Sequence, residues 1–136
     1  MEHIRVDHVD GHQFAVQIRD HSLTVDQPES AGGGDAGPTP TELFVAGLVA
    51  CVAHYARAYL ARHGIDAAGL AVTADWSMAD DRPARVGTVT IGIEAPAGLP
   101  PGRYDALLAV ASHCTVHNSL VTPPTVTIGL SAGVAA

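Results

Sequence analysis

Thr39-Pro40-Thr41-Glu42-Leu43-Phe44-Val45-Ala46-Gly47-Leu48-Val49-Ala50-Cys51 is the stretch whose reading decides the fold. Thr39 offers an N-cap oxygen, Pro40 a preset φ at the first helical position, and Glu42 a carboxylate three residues after the cap, which together form a capping box. The helix predicted from this start covers residues 40–63, with Arg62 and His63 at the negative end of its macrodipole and Gly64 just past the end. A rise of about 1.5 Å per residue makes it about 36 Å long. Leu43, Phe44, Val45, Ala46, Leu48, Val49, Ala50, Val52 and Ala53 leave no polar face over three turns, so burial on all sides is expected. A chain of 136 residues is too small to wrap a central helix alone, and the expectation is an obligate homodimer with this helix near the interface. The longest apolar run, residues 43–53, is shorter than a bilayer span and ends in His54 and Arg57, so no membrane segment is expected.

On the N-terminal side, Ile4 and Val6, then Phe14, Val16 and Ile18, then Leu23 and Val25 recur at period two. That periodicity, with turn signals at Asp10-Gly11 and at residues 19–22, predicts a three-stranded meander over residues 3–27. Residues 28–38, rich in Gly and Pro, form a loop long enough to border a site. On the C-terminal side, Leu70, Val72, Ala74 and Trp76, and then Val86, Val89, Ile91 and Ile93, predict two antiparallel strands around the charged turn at residues 80–83. An amphipathic helix over residues 103–112 follows, then a short helix opened by Cys114 and ended by Pro123-Pro124. Val126, Ile128 and Leu130 predict a closing strand over residues 125–131. The order β-β-β-α-β-β-α-α-β is an α+β arrangement in one domain, residues 1–136, with a long buried central helix.

Lys and Arg number 7 against 14 Asp and Glu, an acidic balance that argues against nucleic acid and anionic membrane surfaces as partners. Two cysteines give no secreted-type disulfide framework, and the N-terminus has no basic segment followed by an apolar one, so a cytoplasmic setting is expected. Cys51 and Cys114 lie 63 positions apart, and as the only thiols they form a candidate redox couple in which one thiolate attacks an oxidant and the other traps the product. Two buried structural thiols are the plain alternative.

The block from Gly37 to Phe44 leading to Ala50-Cys51, with His113-Cys114 and Leu120 later, resembles the OsmC/Ohr family of osmotically induced and organic hydroperoxide resistance proteins. The resemblance covers nearly the whole chain in the order of its elements. It implies an intertwined homodimer, two central helices wrapped by sheets from both chains, and thiol-dependent reduction of organic or inorganic hydroperoxides. The family's peroxidatic cysteine falls on Cys51 and its resolving cysteine on Cys114. No metal or organic cofactor is implied; an external dithiol, such as a protein-bound dihydrolipoyl group, would reduce the disulfide.

The chain departs from the family's pattern at three positions, two of them particular to its peroxidases. Many relatives place Pro after the second cysteine, where this chain has Thr115. The peroxidases carry a Glu ten residues before the first cysteine, where this chain has Thr41, and Glu42, with a capping role of its own, stands about 13 Å along the axis from Cys51. They also carry an Arg at the first hairpin turn, which here reads His8-Val9-Asp10-Gly11. A mid-helix thiol among apolar neighbours needs a cation to ionise, and Arg5, Arg19, Arg57 and His54 are the candidates. At Cys114, the N–H groups of the short helix would favour thiolate. Two other readings stay open: zinc held by Cys51, His54, His113, Cys114 and His117, and a small-molecule-binding dimer without catalysis.

Overall fold

The computed structural model describes residues 1–133. Strands β1 (Ile4–Asp10), β2 (Gln13–Ile18) and β3 (His21–Val25) form an antiparallel meander in the order β1-β2-β3. Gly11 turns the first hairpin at φ +53° and Arg19 turns the second at φ +51°. The long helix α1 (Pro40–Arg62) follows, then the hairpin of β4 (Ala71–Met78) and β5 (Val86–Glu94), and finally helices α2 (Tyr104–Ala111) and α3 (Thr115–Val121). The architecture is α+β and follows the expected order up to the last element.

Helix α1 begins as its first residues dictate. Thr39 Oγ1 accepts from the Glu42 N–H at 3.1 Å, and Glu42 Oε1 accepts from the Thr39 N–H at 2.9 Å. His63 is the C-cap and Gly64 follows at φ +65°, a conformation glycine adopts without steric cost. Val45, Leu48, Val52, Ala56, Tyr59 and Leu60 form its buried stripe. All of these but Val45 build the core with Leu99, Leu107, Ala111 and Cys114, under the partly buried Val89, Ile91 and Ile93 of β5. By length and composition the whole of α1 is apolar enough to cross a membrane, unlike the run of residues 43–53 considered alone. Its buried stripe instead makes it the core helix of this fold.

Burial of α1 on all sides is not achieved within the chain. β4–β5, α2 and α3 cover one side, while Phe44 stays 46% exposed and Ala46, Gly47, Ala50 and His54 are open. The meander leaves more surface uncovered, because it makes no extensive contact with any helix or with β4–β5, and every residue of β1 is exposed.

The closing strand expected over residues 125–131 does not form. These residues join neither sheet, and Val126, Ile128 and Leu130 are 75%, 91% and 102% exposed. Alternation defines a face, but a strand also needs an edge to pair with, and no edge of this chain is used by these residues.

The loop between β3 and α1 is organised by Asp26, which is buried. Its carboxylate accepts from the Gln27 N–H at 2.7 Å, Ala36 N–H at 3.1 Å and Gly34 N–H at 3.2 Å. Gly33 and Gly37 pass so close to the carbonyls of Gln27 and Thr24 that a Cβ on either would collide with backbone. The Asp26 N–H also donates to Pro38 O at 3.2 Å, which fixes the chain two residues before α1.

Candidate functional site

Cys51 and Cys114 come together at the edge of the core, both as free thiols. Cys51 is half-buried on α1, and Cys114 is completely buried at the joint between α2 and α3. Cys114 is the N-cap of α3, and its Sγ accepts from the His117 N–H at 3.4 Å. Burial pushes the Cys114 thiol up from its ordinary value, against the pull of the His117 and Val116 N–H groups. Cys51 raises it further, through a side-chain hydrogen bond and through its charge. The capping geometry expected at Cys114 is therefore present, but the thiolate expected with it is not favoured. Loss of solvent around a fully buried sulfur outweighs the amides of a seven-residue helix. The pair is asymmetric in burial, with Cys114 enclosed and Cys51 half-open.

The joint that holds Cys114 is braced by side chains bonded to main-chain carbonyls. His113 Nδ1 donates to Ala109 O and His117 Nδ1 to Ser112 O, both at 2.8 Å, while Asn118 Nδ2 donates to His113 O at 3.1 Å. These donors satisfy the Ala109 carbonyl near the end of α2 and the Ser112 and His113 carbonyls of the joint beyond it. Across the pair, Tyr55, one turn after Cys51, shares a hydrogen bond of 2.7 Å between its hydroxyl and Thr115 Oγ1. The departure at Thr115 thus has a local purpose, since the proline of many relatives suits the first position of a helix but offers Tyr55 no partner. Sequence reasoning missed both this bond and Asp26. Tyr55 and Thr115 are 60 residues apart, and only the fold pairs them.

The candidate cations are placed elsewhere. Arg5, on β1, pairs with Asp7 at 3.0 Å. Arg57 is exposed on α1, His54 packs edge-on against Tyr55, and the Arg19 carbonyl accepts from Gln17 Nε2 in the second turn. At the first hairpin, His8 Nε2 bonds the Gly11 carbonyl at 3.0 Å. Among the described residues, no arginine or histidine side chain hydrogen-bonds to either sulfur. Glu42 is spent on the cap, as its spacing predicted. Among the described residues no three His, Cys, Asp or Glu side chains converge on one point. The zinc reading therefore has no ligand set among the described residues, and the Nδ1 atoms of His113 and His117 are committed to carbonyls.

The chain is thus an α+β protein with a long capped helix carrying one thiol and a second thiol capping a short helix beside it. Residues 32–129 match the family model described as OsmC-like protein; the chain belongs to this family. No curated protein matches the sequence. Among solved structures, a Psychrobacter arcticus protein assigned to the osmotic stress and detoxification response superposes with a TM-score of 0.79 at 23% identity, over 88% of each chain. An OsmC-like protein from Mycoplasma pneumoniae gives 0.77 at 16% identity, over 90% of this chain and 89% of its own. The organic hydroperoxide resistance protein OsmC of Legionella pneumophila gives 0.64 at 22% identity, over 88% of each chain. At these identities the likeness is one of fold.

Proposed function

We propose that this chain is a thiol-dependent hydroperoxide reductase of the oxidative stress response. It acts in the cytoplasm as a homodimer, with Cys51 as peroxidatic and Cys114 as resolving cysteine. The observation that carries this reading is the asymmetric pair, in which Cys114 is fully buried next to the more accessible Cys51. An attacking thiol must meet substrate, whereas a resolving thiol only needs to reach its neighbour. The Cys51 thiolate attacks the distal oxygen of ROOH; the O–O bond breaks, the alkoxide leaves and is protonated to ROH, and Cys51 becomes a sulfenic acid. The Cys114 sulfur then bonds to the Cys51 sulfur, its proton leaves with the displaced hydroxide as water, and a disulfide remains. An external dithiol restores both thiols by exchange and is itself oxidised. The names of the Legionella relative and of the Bacillus subtilis organic hydroperoxide resistance protein OhrB agree with such a role.

Mass spectrometry after one equivalent of an organic hydroperoxide tests the pathway. A Cys51–Cys114 disulfide within one chain is expected, and Cys114→Ser should stop at sulfenic or further oxidised Cys51. Two thiols still free after oxidant, or links only between chains, would overturn the assignment. Activation is tested by restoring the two residues that peroxidase relatives carry. Val9→Arg with Thr41→Glu should raise the peroxide rate by more than the product of the single changes, because the carboxylate acts only by orienting the guanidinium.

A further inference from the structure

Away from the thiols, a pair of side chains joins the end of α1 to the start of α2. Arg103 closes a short turn of helix (Pro101–Arg103) and is the N-cap of α2. Its Nη1 donates to Tyr59 Oη at 3.3 Å and lies 3.1 Å from His63 Nδ1. A guanidinium only donates, so His63 Nδ1 is the acceptor and the neutral ring carries its proton on Nε2. Tyr59 is buried, and its ring lies 4.3 Å from that of His63, centroid to centroid. The His63 main chain is fixed as well, its N–H bonded to Tyr59 O at 3.2 Å and Leu60 O at 3.1 Å. On the α2 side, Tyr104, Asp105 and Ala106 are exposed, and burial begins at Leu107. The first turn of α2 is therefore held to α1 through Arg103 more than through packing.

A proton on Nδ1 removes the acceptor and sets two cations against each other. The groups that face His63 pull in both directions. The negative end of α1 and the Tyr59 ring favour an imidazolium, whereas Arg103 opposes it, with Arg62 beside it in the chain. No carboxylate relieves the conflict. Among the described residues neither Arg103 nor His63 forms an ion pair, and Asp66, three residues after His63, accepts from the Ala68 N–H. We propose that Arg103 and His63 form a proton-operated tie, closed when His63 is neutral and open when it is charged, through which mild acid loosens the start of α2 from α1. A histidine changes charge between about pH 5 and 8, so the tie holds at the alkaline end of that range and is lost toward the acid end. Leu107 and Ala111 belong to the core, which confines the opening to the first turn of α2. The tie goes beyond the peroxide reading and does not depend on it, because it involves neither sulfur and no redox step.

Two measurements on the full chain test the tie. Imidazole nitrogen NMR of the wild type at pH 8 should show His63 as the Nε2–H tautomer, with Nδ1 unprotonated. A double-mutant cycle of Arg103→Met and His63→Phe, read by urea unfolding at fixed protein concentration, should give a coupling of about two- to tenfold in the unfolding constant at pH 8. At pH 5 that coupling should vanish, and the cycle cancels the titration of the other histidines. His63→Gln, which accepts a hydrogen bond without titrating, should keep its coupling to Arg103 at both pH values. If a variant does not fold, the wild type still decides, since the amide resonances of residues 102–106 should move with the His63 ring as pH is lowered from 8 to 5. An Nδ1–H tautomer at pH 8, a coupling absent at pH 8 or unchanged at pH 5, a glutamine variant that loses its coupling in acid, or amides that ignore the His63 titration would each overturn the tie.

Discussion

At the scale of single residues, the asymmetry between what local sequence shows and what only packing creates is clearest at Asp26 and the two cysteines. Both thiols were legible because each stands in a strong local context, one in a capped apolar helix and one before a short helix. Asp26 reads as an ordinary acidic residue at a strand end, since its three donors come from a loop that gains its shape only by folding around it. Backbone N–H groups, Ala36 first and then Gln27, hold its carboxyl below the usual carboxylate range. Its folded value is thus depressed below the unfolded value of about 3.9. The stabilisation is complete above the unfolded value and is lost as pH falls through the folded one. Asp26→Asn replaces one acceptor oxygen with a donor facing N–H groups, so its urea midpoint should fall at neutral pH. The gap between variant and wild type should narrow as pH is lowered from about 6 to about 3. A gap that is constant over this range would mean that the charge on Asp26 contributes nothing.

Elements were legible where local chemistry suffices and illegible where a partner is needed. The capping box placed the start of α1 to the residue, and period-two alternation found β1 to β5. The same alternation misread residues 125–131, because the pattern of a half-buried strand is identical whether or not an edge is available. Thr39→Ala removes the acceptor for the Glu42 N–H and should cost about 1 kcal/mol of stability. Urea denaturation at fixed protein concentration reads this directly, and a loss below a few tenths would show that solvent replaces the cap. At the other end of the site, Thr115→Pro keeps a good first residue for α3 but removes the hydroxyl bonded to Tyr55. A loss of about 0.5–1.5 kcal/mol is expected for that bond, matched by Tyr55→Phe. The double variant should lose no more than either single one, since both remove the same contact.

At the scale of the whole molecule, three surfaces are left uncovered. The β1–β3 meander makes no extensive contact with any helix of its own chain, and Ile4, Val6 and Val9 on β1 are more than half exposed. The outer side of α1 presents Ala46, Gly47 and Ala50, small enough for close approach of another helix, beside the exposed Phe44. Residues 125–131 carry the pattern of a strand without an edge. Exposed apolar surface of this extent on a soluble monomer is rare, and a second copy would supply a helix for the open face, a sheet edge for the tail and a body for the meander to embrace. Light scattering should therefore give the mass of two 14.0 kDa chains, and dilution should produce unfolding without a folded monomer, so that the melting temperature rises with protein concentration. Ala50→Arg puts a charge at the centre of the open face of α1, where burial against another helix would be costly, and should abolish dimer and fold together. Phe44→Ser, at the end of the same face, should weaken association while removing little that the chain buries by itself. A compact monomer of 14.0 kDa with full ellipticity, in either variant or in wild type, would show that the chain tolerates these surfaces in water and would overturn the homodimer.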